Sequence, residues 1–166
     1  MTLASYISVA RVFLIPVFLY FFVHRGGRVW SVAVLLLAGA SDMLDGYLAR
    51  SRNEISTLGK ILDPVADKLM VISAVAALMV TRELPDWLGF ALFFKELALV
   101  IGGARYYLTH QELLSASYLG KGATVVLYIG IISTILRFPA GVYLVSLGFI
   151  ISLIAGLDYF IKSRHA

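Results

Sequence analysis

Apolar residues fall in six runs along the chain, at about 8–24, 29–49, 60–80, 86–107, 119–136 and 140–161. The breaks between them, near 24–28, 50–59, 81–85, 109–117 and 137–139, each combine charge with a helix breaker or a polar run. Runs of roughly 18 to 22 residues suit helices that cross a bilayer, because about 20 residues at 1.5 Å rise cover the ~30 Å hydrocarbon core. The pattern therefore predicts an all-α, integral membrane bundle of six transmembrane helices, forming a single membrane-embedded domain over residues 1–166.

Composition agrees. Hydrophobic residues make up 60% of the 166 and charged residues 14%, and the mean hydropathy is +0.90, far from a soluble domain. No basic stretch precedes the first run and no small-residue cleavage site follows it, so a removable signal peptide is not expected. With no cysteine, disulfides, thiolate zinc sites and cysteine nucleophiles drop out.

Six spans place both termini and the second and fourth breaks on one side. That side carries Arg50, Arg52, Lys60, Arg105, Lys121, Lys162 and Arg164, and the other carries Arg25, Arg28, Arg82 and Arg137. The excess predicts a multi-pass protein of a bacterial-type inner (plasma) membrane with the 50–59 side facing the cytoplasm. A net charge of +4 suits anionic lipid headgroups, and without a basic stripe on a soluble face nucleic acid is not an expected partner.

Four of the ten acidic residues stand close together in the sequence. Asp42 and Asp45 are three apart near the end of the second run, and Asp63 and Asp67 are four apart at the start of the third. On helices each pair shares a face, and antiparallel helices joined by about ten residues bring both faces to one membrane level. Each acid costs a few kcal/mol within a span, so the group needs neutralising. Divalent cations, cationic side chains and partial protonation would each serve. Hard oxygen donors favour Mg²⁺ or Mn²⁺ over zinc or copper, and four carboxylates suffice for two cations in a phosphoryl-transfer geometry. An ion or proton transporter, or acids at a solvated edge, fits the same spacing. Gly46, Gly59 and Ala49 keep this region low, where a backbone or flat ligand approaches closely, and Arg50 offers a fork for phosphate.

Written out, Asp42-x2-Asp45-Gly46-x2-Ala49-Arg50-x8-Gly59-x3-Asp63-x3-Asp67 resembles the signature of the CDP-alcohol phosphotransferase (CDP-alcohol phosphatidyltransferase) family at all of its fixed positions. The resemblance implies a six-helix membrane enzyme, usually a homodimer, that transfers a substituted phosphoryl group from a CDP-linked donor to an alcohol and releases CMP. It implies that Asp42, Asp45, Asp63 and Asp67 bind two divalent cations, that Asp67 is also the catalytic base, and that Asp45, Gly46, Ala49, Arg50 and Gly59 line the CDP-donor site.

Further stretches are similar to the bacterial phosphatidylglycerophosphate synthase branch of that family: "ISVARVFLIP" at 7–16, "LDPVADKLMV" at 62–71, "SYLGK" at 117–121 and, more weakly, "SLIAGLDYF" at 152–160. That branch implies CDP-diacylglycerol as donor and glycerol 3-phosphate, a phosphorylated small alcohol, as acceptor. The chain departs from it at Lys95-Glu96, where Arg-Glu is usual, and at Gly103, where another Arg stands, with Arg105 two residues on. "LAGASDMLDG" at 37–46 also resembles cardiolipin synthases that use phosphatidylglycerol as acceptor, and inositol-phosphate and serine branches share the signature. Arg11, Arg105 and Lys121 are the expected contacts of an acceptor phosphate, each with an alternative as a lipid-headgroup or snorkelling contact. Lys95 and Glu96 read either as a pair supporting the site or as a buried ion pair.

Overall fold

A computed structural model describes residues 3–52, 57–110 and 118–164, with side chains for 10–41, 66, 68–103, 105, 109 and 118–156. Among these residues the chain forms six α-helices and no strand: α1 (Leu3–Val23), α2 (Arg28–Arg52), α3 (Thr57–Val80), α4 (Asp86–His110), α5 (Tyr118–Ile135) and α6 (Gly141–Arg164). Each matches one predicted run to within a few residues. The main difference lies at the second break: α2 continues through Arg52 and α3 begins at Thr57, so Arg50 and Gly59 are helical. An apolar pattern stops where polarity begins, but the backbone ladder continues through good helix formers such as Leu, Arg and Lys.

Tyr118–Ile135 is the one stretch, among the described residues, long and apolar enough by itself to cross a membrane, while Ala10–Val23, Arg28–Ser41, Lys68–Val80 and Gly141–Gly156 are shorter apolar stretches.

α1 packs chiefly on α2 and α3, α4 lies against α3, and α5 pairs with α6 while touching α2 and α3. Phe18, Phe22, Leu35, Met70, Leu78, Leu88, Leu92, Ile131 and Val145 form one buried cluster contributed by all six helices. The α5–α6 pair is close because glycine faces backbone. A Cβ on Gly130 would stand 2.5 Å from the Val145 nitrogen, and one on Gly148 would stand 2.8 Å from the Leu127 nitrogen.

One guanidinium ties the end of the bundle where α2 begins. Arg28 donates to Glu83 Oε2 at 2.7 Å and to Glu83 Oε1 at 2.5 Å, in the link between α3 and α4. It also donates to the Ile135 carbonyl at the end of α5, at 2.8 Å, and it sits 5.3 Å from the Phe22 ring of α1. Arg137 Nε reaches Glu83 Oε1 from beyond α5 at 3.2 Å. The start of α2 and the ends of α1, α3 and α5 therefore share one end of the bundle. Partial burial pushes the Glu83 carboxyl up, but Arg28 and then Arg137, through hydrogen bonds and charge, outweigh it and hold the group below the ordinary value of 4.5.

α3 and α5 end in the same way. Glu83 N–H donates to the Leu78 carbonyl and Arg82 N–H to that of Met79, and Phe138 N–H and Arg137 N–H repeat the pattern to Ser133 and Thr134. This is the Schellman arrangement, with Arg82 (φ 59°) and Arg137 (φ 62°) in the left-handed position where glycine is usual. Both carry a conformational cost of about 1 kcal/mol. Arg137 offsets it through Glu83, whereas the pair Arg82 makes with Asp86 is an exposed i,i+4 one that contributes little.

Two predictions follow from this end of the molecule. Arg82→Gly should raise stability in thermal unfolding of the detergent-solubilised protein by several tenths to about 1 kcal/mol, and Arg137→Gly should gain less or lose. Glu83→Gln should lower stability at neutral pH by about 2 kcal/mol by removing charge-assisted bonds to Arg28. Because the folded Glu83 titrates low, its contribution is complete above pH 4.5 and fades as the pH falls through the depressed value. The gap between parent and variant should therefore narrow with acid below pH 4.5; a gap independent of pH would contradict the assignment.

Candidate functional site

The shared end sets the depth of every residue on α2 and α3. Counting from Arg28 at 1.5 Å per residue, Asp42 lies about 21 Å along α2 and Asp45 about 26 Å. Counting back from Val80, Asp67 lies about 20 Å along α3 and Asp63 about 26 Å. The two helices thus present acids in matched tiers, Asp42 beside Asp67 and Asp45 beside Asp63 in depth, at the end away from Arg28. That correspondence needs the second and third runs to be antiparallel with a common origin, which the Arg28–Glu83 contact provides. The side chains of Asp42, Asp45, Gly46, Ala49, Arg50, Gly59, Asp63 and Asp67 lie outside the described residues. Their positions on the helix backbones stand. Four carboxylate donors in two tiers suit hard divalent cations such as Mg²⁺ or Mn²⁺ in chemistry and number. Among the described residues there is no group of three or more His, Cys, Asp or Glu that could hold a metal ion.

The three residues expected at an acceptor phosphate are placed differently from one another. Arg11 on α1 is 1% exposed, so it is an interior cation and the snorkelling alternative does not describe it. Arg105 on α4 and Lys121 on α5 are exposed, and the Lys121 ammonium stands 5.7 Å from the Tyr118 ring. By the same helix count, Arg11 lies about 18 Å from the Arg28 end and Lys121 about 21 Å, at the depth of the inner acid tier. Among the described residues, and apart from its own turn of α4, nothing stands within 4 Å of where a Cβ on Gly103 would be, the position where the resembling branch carries an arginine.

Lys95 and Glu96 do form an ion pair, with Glu96 buried and Lys95 partly so, and the pair has a third member that the sequence does not signal locally. Glu96 Oε1 is 2.5 Å from Lys95 Nζ, and Glu96 Oε2 is 3.0 Å from Lys68 Nζ on α3. Lys68 follows Asp67 directly. A signal was available, since a charged residue inside an apolar run implies a partner on the helix beside it.

Comparison with known proteins bears on the same stretch. The family model described as CDP-alcohol phosphatidyltransferase matches residues 1–156. The chain is 36% identical over 129 residues to the "Cardiolipin synthase (CMP-forming)" of Streptomyces coelicolor, covering 75% of this chain and 60% of that protein. It is 30% identical over 187 residues to the "CDP-diacylglycerol--glycerol-3-phosphate 3-phosphatidyltransferase" of Bacillus subtilis, covering 99% of this chain and 96% of that protein. A Pseudomonas fluorescens protein with the same printed name is 42% identical over 85 residues, covering 50% of this chain and 43% of its own. The chain thus spans about 60% of the length of the cardiolipin synthases it matches and nearly all of the Bacillus protein.

Proposed function

The chain belongs to the CDP-alcohol phosphatidyltransferase family, and from that premise we propose that it transfers the phosphatidyl group of CDP-diacylglycerol to glycerol 3-phosphate, giving phosphatidylglycerophosphate and CMP. The observation that carries this reading is the pair of matched acid tiers on α2 and α3, coinciding residue by residue with the family signature. Asp42, Asp45, Asp63 and Asp67 would hold two divalent cations. When bound, Mg²⁺ or Mn²⁺ would offset the charge of the donor's diphosphate and of the departing CMP.

The chain's own residues have the remaining tasks. Gly46, Ala49 and Gly59 leave room for the cytidine, and Arg50 pairs with phosphate. Asp67 takes the proton from the acceptor hydroxyl as that oxygen attacks the phosphorus bearing diacylglycerol. The bond from that phosphorus to the CMP oxygen breaks in line. Arg11, Arg105 and Lys121 are assigned to the acceptor's phosphate.

We further propose that the helices form a multi-pass bundle in a bacterial-type inner membrane, acting as a homodimer, with the acid tiers toward the cytoplasm. Support comes from large apolar side chains on the outside of the bundle and a few polar ones within it. Phe13 is 70% exposed and Phe94 63%, while Arg11, Ser31, Glu96 and Thr134 are buried, as expected where the surroundings are hydrocarbon.

One second reading has its own observation. The 36% identity to a CMP-forming cardiolipin synthase favours phosphatidylglycerol as acceptor with the same chemistry.

CMP release from CDP-diacylglycerol by the purified protein, with Mg²⁺ or Mn²⁺ and a panel of labelled acceptors, should be fastest with glycerol 3-phosphate. Preference for phosphatidylglycerol would transfer the assignment to the second reading, and no release with any acceptor would reject both. Chelation should abolish the reaction and restored Mg²⁺ or Mn²⁺ should recover it. Asp67→Asn should lower the rate by roughly 10²–10⁴-fold without loss of folded protein; release at the parent rate would remove Asp67 as the base.

A further inference from the structure

We propose that the Arg28 end of the bundle holds a separate lipid site, a cleft between the α3–α4 turn and the start of α6 that takes the headgroup of an anionic phospholipid, with Arg82 as its phosphate contact. The inference rests on the reading of the bundle as membrane-spanning and not on the transfer reaction, whose nearest acids on α2 and α3 lie about 20 Å away along the helices.

Arg82, Glu83, Leu84, Pro85 and Asp86 line the cleft together with Val142, in the first turn of α6. Its volume is about 330 Å³, at the small end of ligand sites, which run from ~300 to ~1,000 Å³. A headgroup fits there, and acyl chains must lie outside. An apolar path for them starts at the mouth of the cleft, since Trp87, Phe90 and Phe94 share one face of α4 and all are exposed. Tyr143 and Leu147 follow Val142 along α6 in the same way.

Charge selects the headgroup. Arg25, Arg28, Arg82 and Arg137 stand at this end against Glu83 and Asp86, an excess of two positive charges. Arg28 and Arg137 are committed to Glu83. The Arg82 side chain is 82% exposed, and its contact with Asp86 uses one guanidinium nitrogen at 3.1 Å. Such an exposed pair contributes little, and the other donors of the fork can reach a phosphodiester. A choline headgroup would bring its own cation to a surface already positive.

The backbone points the same way. Arg82 occupies the left-handed position, φ 59°, where glycine would be less strained. Stability alone would favour glycine there, and residues held in such a conformation cluster where the side chain has another use.

The test uses Trp87 as a reporter beside the cleft. The chain has two tryptophans, and Trp30, 63% exposed, is replaced by Trp30→Phe. The full chain is placed in phosphatidylcholine nanodiscs in which a rising fraction of lipid is phosphatidylglycerol with brominated acyl chains, which quench tryptophan on contact. Brominated phosphatidylcholine at the same fractions is the reference. Because Trp87 stands at the Arg28 end, lipid bound at the acids is not read. Phosphatidylglycerol should be favoured over phosphatidylcholine about fivefold. Arg82→Gly should bring the two lipids to parity, and because that variant is expected to unfold at a higher temperature than the parent, misfolding would not account for the loss. Sodium phosphate should leave quenching where sodium chloride of equal ionic strength leaves it. Parity in the parent, or a preference unchanged by Arg82→Gly, would overturn the proposal, and so would displacement by sodium phosphate beyond the salt control, which would make the ligand free phosphate. Trp87 quenched by neither lipid would defeat the membrane reading itself, a result distinct from equal quenching by both.

Discussion

The contact between Arg28 and Glu83 is the constraint on which the rest of the structure depends. A guanidinium presents donors in a planar fork, and here the fork meets a carboxylate with both nitrogens while one of them also serves the Ile135 carbonyl. The ring of Phe22 lies beneath the charge. Four helix ends are thereby brought to one level by groups that would otherwise be uncompensated polar atoms at the edge of an apolar bundle. Helices are stiff rods of fixed rise, so fixing one end of α2 and α3 also fixes which residues of the two helices lie at equal depth farther along. Asp42 and Asp67, and then Asp45 and Asp63, reach matched tiers as a consequence, and the chemistry proposed for the far end depends on a salt bridge at the near one.

Charge is confined within the bundle in a graded way. At the Arg28 end, ion pairs are partly wet and link the turns; midway, Glu96 gathers Lys68 and Lys95; beyond them come the acids. Outward surfaces are apolar on several helices, including Phe13, Phe94 and Ile150. The close α5–α6 packing at Gly130 and Gly148 is a separate device, one that gains dispersion energy where the surroundings offer little hydrophobic driving force.

Much of the architecture is legible in the spacing of apolar runs, because six helices of 18 to 25 residues leave little chain for anything else. The acids were legible from their offsets of three and four and from the signature around them. Arg28, Glu83 and Arg137 were not, since each looks like an ordinary polar residue in a break and their association joins positions 55 and 54 residues apart. The Lys68–Glu96 pair is not legible either, because no local pattern names a partner across a helix pair. For Arg11 the sequence offers an acceptor-phosphate contact or a snorkelling cation, and only the packing of α1 against α2 and α3 shows it to be interior. Arg50 and Gly59 were placed in a break because hydropathy reports where a membrane ends, which is not where a backbone ladder ends.

The central claim is that acids from α2 and α3 form a cage for paired divalent cations. Anomalous diffraction from crystals of the protein grown with Mn²⁺ tests it most directly. The account predicts two anomalous peaks between α2 and α3, within coordinating distance of Asp42, Asp45, Asp63 and Asp67. Peaks elsewhere, such as at Glu83, or their absence between these helices, would contradict it.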